Sequence, residues 1–341
     1  MKKRIIVLVA SLLVLALSNI LLGQLTRPKY TDNAEGALIA EYYDDAGSND
    51  LIFVGDCEVY ESFVPPLLWE KYGISSYIRG SAQQLPWQSY YILEETFKYE
   101  TPKAVVFNVY SLKYGTPQNE AYNRMTLDGM KWSSSKVEAI KESMTEDESF
   151  IEYVVPLLRF HSRISKLGVD DFRYMFSSPE VSHNGYLMQK GIVPMNDADA
   201  TDPLELLDYT LPERAMEYLD KMRELCEEKE CELILVKAPT NSWAYWWYDD
   251  WEEQICEYAE KYDLSYYNFI PLQDEIGIDM SRDTYDGGLH LNVYGAEKMT
   301  DYFGKILVEQ HGFYNKKGRD TKLDSLWNER VKKYYDDKNG E

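Results

Sequence analysis

Leu51-Ile52-Phe53-Val54-Gly55-Asp56-Cys57-Glu58 is the stretch that decides the fold. Four consecutive apolar residues closed by glycine leave no polar face, the pattern of a strand buried on both sides. Helical spacing follows over residues 61–72, broken near its start by Pro65-Pro66, and a second strand is expected at 74–78, ended by Arg79-Gly80-Ser81. A helix over 87–99 and a third strand over 104–110 complete strand, helix, strand, helix, strand in under 65 residues. Such alternation implies right-handed crossovers and a mainly parallel sheet covered by helices, an α/β fold arranged as a three-layer α/β/α sandwich. The pattern resumes with a helix at 211–228, a strand at 232–236, a helix at 249–262, a strand at 264–269 and a last core helix at 293–310.

Between the halves, residues 111–205 break the alternation with helical patterns at 134–144 and 148–167 and a Gly/Pro-containing segment around 184–196. This reads as an insertion beside the active edge within a body spanning 49–312. Residues 313–341 are highly charged, with Leu323, Leu326, Trp327 and Val331 at near-helical spacing, and are expected to lie on the body as a helix.

The first 22 residues stand apart. Lys2, Lys3 and Arg4 precede Ile5 to Leu22, a run without charge. As a helix it spans roughly 27 Å, close to the ~30 Å hydrocarbon core of a bilayer. The positive-inside rule keeps the cations cytoplasmic and sends the body outward. The expectation is a signal anchor over 1–22 and a polar stalk over 23–48. The rival is a cleaved signal peptide with Ala16-Leu17-Ser18 as its small-x-small site.

The chain has 341 residues, 36 Lys and Arg against 58 Asp and Glu, and a net charge of −22. Nucleic acid is excluded as a partner, because a polyphosphate needs a basic footprint. Four cysteines do not make a disulfide scaffold, although Cys226 and Cys231 are placed to pair outside a cell. The four histidines are scattered and no zinc spacing occurs, so neither metal nor organic cofactor is expected.

In open parallel sheets, ligands bind beyond the carboxyl ends of the strands. Those ends carry Gly55-Asp56-Cys57-Glu58, Arg79-Gly80-Ser81 and Asn108. Far downstream, Asp286-Gly287-Gly288-Leu289-His290-Leu291-Asn292 stands immediately before the last helix. An early nucleophile, backbone donors in the middle and a late Asp/His pair are the parts of an acyl-transfer site. His290, in a glycine-containing loop opening a helix, is the candidate base. His161, His183 and His311 read as packed or surface residues.

These residues resemble the blocks of the SGNH/GDSL hydrolase superfamily, whose sheet is flavodoxin-like. Gly55-Asp56-Cys57 is similar to its Gly-Asp-Ser block with Cys in place of the nucleophilic Ser. Gly80 is similar to the second-block glycine, Asn108 to the third-block Asn, and His290 to the base. More narrowly, the anchor, the insertion and the His-Leu-Asn turn resemble the membrane-anchored extracytoplasmic branch. That branch includes the D-alanyl transfer protein of the lipoteichoic-acid pathway and the alginate O-acetylation proteins.

The resemblance implies Cys57 as nucleophile, with the N–H groups of Cys57 and Gly80 in the oxyanion hole. Asn108 is a candidate oxyanion donor or a strand-end cap, and Gln84 an alternative amide. A thiolate at a helix N-terminus beside a histidine is favoured, whereas Asp56 and Glu58 oppose its ionisation. The family's acid position is Gly287 here, so Asp286 is expected to reach the ring through the freedom of Gly287-Gly288, with Asp283 the weaker candidate. Arg79 is expected to pair with a carboxylate or to contact an anionic substrate. Trp243, Trp246 and Trp247 belong to six aromatics in nine residues, read equally as a sugar-stacking loop or as packing against the insertion.

The expected function is that of an esterase or acyltransferase acting on an acyl ester of a cell-surface glycopolymer. The alternative is a degenerate accessory or binding subunit of a membrane acyltransferase or polymer-modification complex.

Overall fold

The computed structural model of the chain describes residues 2–31, 33–47, 49–195, 205–241 and 245–340. Five strands, β1 (Leu51–Gly55), β2 (Ser76–Gly80), β3 (Ala104–Asn108), β4 (Glu232–Lys237) and β5 (Ser265–Asn268), form one all-parallel sheet ordered β2-β1-β3-β4-β5. The chain winds outward one way from β1 to β2 and the other way from β3 onward. The strand order therefore reverses between β1 and β3, where doubly wound sheets open a crevice.

Side-chain alternation divides the strands between two apolar clusters. Leu51, Phe53, Ile78, Val106 and Val236 pack with Val59, Leu67, Phe303 and Leu307 on one face. Ile52, Val54, Tyr77, Phe107 and Leu235 pack with Ile92, Leu219 and Ile255 on the other. Every residue of β1 to β3 is buried, the apolar run of β1 and the polar Ser76, Arg79 and Asn108 alike.

Where the observed elements depart from the expected ones, proline and packing explain it. The helix expected over 61–72 is two, Cys57–Ser62 and Pro65–Tyr72, because Pro65 pushes Val64 to extended backbone (φ −116°, ψ 95°) and then opens the second helix. Pro156 likewise splits the helix expected over 148–167 into Phe150–Val154 and Pro156–Phe160, followed by a 3-10 turn at His161–Lys166.

The expected stalk is largely part of the body. A 3-10 turn at Ala34–Gly36 leads into a helix at Leu38–Asp45 whose Leu38, Ile39 and Tyr42 are fully buried. Its apolar positions, only a few residues long, gave too short a period to be seen. The helix covers Arg79, whose guanidinium lies 3.9 Å from the Tyr42 ring centre.

The insertion is woven into the sheet edge. Ile78 of β2 donates its N–H to Asn184 O (3.0 Å), and Leu187 donates to Tyr60 O (2.9 Å). Val193 then donates to Thr284 O (3.1 Å) and accepts the Gly287 N–H (3.0 Å), both in the loop that carries His290. The C-terminal helix, Thr321–Asn339, buries Trp327, which stacks on Trp69 at 5.5 Å. At the other end, the helix Lys2–Thr26 is long and apolar enough to cross a membrane, and its apolar window is not buried against the body.

Candidate active site

Cys57 lies just past β1, at the start of the helix that Asp56 caps by accepting the Glu58 N–H (3.2 Å). His290 lies 233 positions later in the loop before the helix Val293–Glu309, which Asn292 caps. Both line one cavity of about 490 Å³, together with Glu61, Tyr60, Tyr245 and Tyr285.

Asp286 reaches the imidazole as the glycine argument required. Gly287 and Gly288 take positive φ (79° and 96°), curling the loop so that Asp286 Oδ2 lies 2.6 Å from His290 Nδ1 while Oδ1 accepts the His290 N–H at 2.9 Å. Asp283 is committed elsewhere, to Lys298 (2.5 Å) and the Asp279 N–H (2.8 Å).

With Nδ1 held by Asp286, Nε2 is the nitrogen left over. It is buried and has no hydrogen-bond partner among the described residues. The Cys57 thiol faces the ring closely enough for each group to shift the other's titration. Burial pushes the thiol above its ordinary range, and Asp56 and Glu61 add to this, against the pull of His290. Burial alone would lower the imidazole, yet the charges of Cys57 and Glu61 and the bond to Asp286 hold it well above its usual value. The two shifts depend on each other, since the charge of each group acts on its neighbour, so the pair shares a proton between sulfur and imidazole.

Glu61, Tyr285 and Tyr245 are site residues that the sequence reading missed. Glu61 Oε2 lies 3.2 Å from His290 Nδ1, and its Oε1 accepts the Tyr285 hydroxyl at 2.6 Å. Burial raises the Glu61 carboxyl to about 7, against His290 and Tyr285. Its signal was the i, i+4 spacing from Cys57, which puts both on one helix face. Tyr245 sets its hydroxyl 3.3 Å from the Cys57 sulfur and its ring edge-on to the imidazole at 5.1 Å.

Several expected roles are corrected by the hydrogen bonding. Asn108 is no free oxyanion donor: its amide donates to Asp56 Oδ1 (3.1 Å) and Glu58 Oε2 (2.9 Å), and its oxygen accepts the Ala238 N–H (3.1 Å). Gln84 is buried with its amide on Arg79 O (3.2 Å) and Ser89 Oγ (3.0 Å), whereas its neighbour Gln83, at φ 50°, lines the cavity. Glu58 does not face the thiol as a bare charge, since Lys237 Nζ neutralises it at 2.8 Å.

Arg79 neither pairs with a carboxylate nor reaches solvent. It is buried, donating to Ile92 O (3.0 Å) and Thr96 Oγ1 (2.8 Å). Gly80 sits where a Cβ would come within 2.9 Å of Val59 Cγ2 and 3.1 Å of Gly55 O, so close packing of β2 under the nucleophile turn requires glycine there. Trp247 is buried, edge-on to Trp251 and bonded to Glu252 (2.8 Å), so it packs and offers no sugar platform. Trp246 is exposed, and Trp243 lies outside the described residues.

His311 bridges Glu232 (2.6 Å) and Tyr267 (2.8 Å), and His183 lies 3.3 Å from Asp337, so both are structural. Cys226 and Cys231 are buried free thiols. Among the described residues no three His, Cys, Asp or Glu side chains cluster to hold a metal ion. Comparison with known proteins adds no relative: no family model matches the chain and no curated protein matches it.

Proposed function

We propose that the chain is an acyl-transfer enzyme of SGNH type, with a three-layer α/β/α body held outside the cell membrane by its N-terminal helix. Its substrate would be an acyl ester of a cell-surface glycopolymer. The observation that carries this reading is the convergence of Cys57 and His290 on one cavity at the switch point of the sheet, with Asp286 behind the ring fixing Nδ1.

In the first step the Cys57 sulfur bonds to the ester carbonyl carbon as His290 Nε2 takes the thiol proton and the carbonyl electron pair moves onto oxygen. Asp286 holds the tautomer and stabilises the imidazolium. Collapse of the tetrahedral adduct breaks the carbon–oxygen bond, and the leaving alkoxide takes the proton from Nε2. Water or a sugar hydroxyl then attacks the thioester, its proton passing to Nε2, and the Cys57 thiolate leaves and is reprotonated. With Asn108 and Gln84 spent on the fold, the oxyanion falls to the backbone N–H groups of Cys57 and Gly80 and to the Gln83 amide.

The test is turnover of p-nitrophenyl acetate by the purified full chain, with and without a thiol alkylator, alongside Cys57→Ala and Cys57→Ser. The reading expects alkylator-sensitive turnover, its loss in Cys57→Ala and a measurable rate in Cys57→Ser.

A second reading, a non-catalytic accessory or binding subunit of a membrane acyltransferase complex, is favoured by one set of observations. The sulfur is buried, capped by the Tyr245 hydroxyl and held in the thiol form, and both family-like side-chain amides are consumed. Absence of turnover above the uncatalysed rate in all three proteins would select it.

A further inference from the structure

The short helices of the insertion leave an unusual surface. Ile151, Val154 and Leu158 are exposed at spacings of three and four along the two short helices Phe150–Val154 and Pro156–Phe160, on either side of the break at Val155. Val169, Phe172 and Phe176 repeat the spacing along Val169–Arg173 and its exit, and are 82%, 61% and 76% exposed. Ile164 joins the two groups. A soluble surface scatters such residues singly and does not line them up.

Their position beside the anchor names the occupant. The apolar run ends at Leu22, and the next residue, Gly23, is buried against the Pro156 ring, which a Cβ on Gly23 would approach to 3.3 Å. Arg163 then ties the end of the anchor to the same segment, donating to Thr26 O (2.6 Å) and pairing with Asp171 (2.8 Å). Pro156 is therefore at the height where the anchor leaves hydrocarbon, and the apolar stripes on either side of it are within a helical turn or two of that level. Residues 150–176 carry four basic residues (Arg159, Arg163, Lys166, Arg173) against three acidic ones (Glu152, Asp170, Asp171), in a chain of net charge −22. This is where an otherwise acidic body can approach anionic headgroups.

We propose that residues 150–176 form a foot that lies in the outer interface of the bilayer around the anchor, burying Ile151, Leu158, Val169, Phe172 and Phe176 among lipid headgroups and upper acyl chains. This rests on the anchor reading above but not on the acyl chemistry. The foot holds the body at a fixed tilt, and with it the cavity, whose lining residue Asn33 is seven residues beyond Thr26 and so within about 25 Å of the anchor's end. Substrates of the site are then membrane-proximal ones.

The experiment uses the full chain in nanodiscs of phosphatidylcholine and phosphatidylglycerol. An environment-sensitive fluorophore is placed on Phe172→Cys or Val169→Cys in a Cys57→Ala, Cys256→Ser background, and lipids bearing a doxyl quencher near the headgroup are added. The foot predicts that both probes lose most of their emission to the quencher, and that a Leu158→Asp, Phe176→Asp double substitution restores it. A chain that stays with the nanodisc while both probes remain unquenched overturns the foot and leaves the anchor standing. A probe shifted to the blue but unquenched means that protein covers the patch, and also overturns it.

Discussion

Asp286 holds His290 at two points, by Oδ2 on the ring Nδ1 at 2.6 Å and by Oδ1 on the backbone N–H at 2.9 Å. A carboxylate so placed fixes both the tautomer and the direction of Nε2. Asp286→Asn keeps the shape but presents an amide donor to Nδ1, which leaves the ring proton on Nε2, the nitrogen that must accept the Cys57 proton. The expected result is a fall in kcat of about 10³-fold or more with KM little changed. Steady-state kinetics on p-nitrophenyl acetate checks it, and a matching rise in KM would show that Asp286 acts on binding instead.

Glu61 is the second carboxylate at the ring, and its negative charge favours both a protonated imidazole and a protonated thiol. Removing that charge lowers both. Glu61→Gln should therefore move the pH dependence of Cys57 alkylation toward lower pH by about one unit. The rate of iodoacetamide labelling against pH, followed on the Cys57 peptide, reads this directly. A shift to higher pH would mean that Glu61 acts mainly by supporting the imidazolium that stabilises the thiolate.

Asn108 joins Asp56, Glu58 and Ala238, so its contribution is to the fold. Asn108→Ala leaves two buried carboxylates short of a donor and an N–H without its acceptor. Destabilisation of about 2–4 kcal/mol is expected in urea unfolding. Normal stability combined with a large loss of kcat would restore the oxyanion role that its position suggested.

Position at a strand end was legible in the sequence, and direction was not. The run Leu51 to Val54 specified β1 because a strand apolar on both faces needs cover on both faces, and the parallel sheet followed. Asp286 was legible because two glycines permit only a tight loop. Whether Asn108 or Gln84 points outward or inward depends on partners 50 to 130 residues distant or on a half-turn of backbone, as Gln83 and Gln84 show by lying on opposite sides of one bend. The helix Leu38–Asp45 escaped notice because it is too short to display a period, and its value lies in covering Arg79, a long-range contact.

Lys136 is buried with no carboxylate in ion-pair contact among the described residues, its ammonium on Met130 O (2.8 Å), and burial lowers it to about 7. A lysine depressed on folding lends stability that is present above its ordinary value and lost as pH falls toward 7, because the unfolded chain binds the extra proton. Between about pH 7 and pH 10, wild type should therefore gain on Lys136→Met by about 1.4 kcal/mol per pH unit as pH rises. Urea denaturation of both proteins across that range measures the slope, and parallel curves would place the ammonium in water.

The most direct measurement is intact-protein and peptide mass spectrometry of the full chain quenched in acid within the first turnover of p-nitrophenyl acetate. An acetyl thioester on Cys57 is predicted, discharged by hydroxylamine and absent from Cys57→Ala. Undiminished turnover in Cys57→Ala, with no acyl group found on Cys57 of the wild-type chain, would contradict the account.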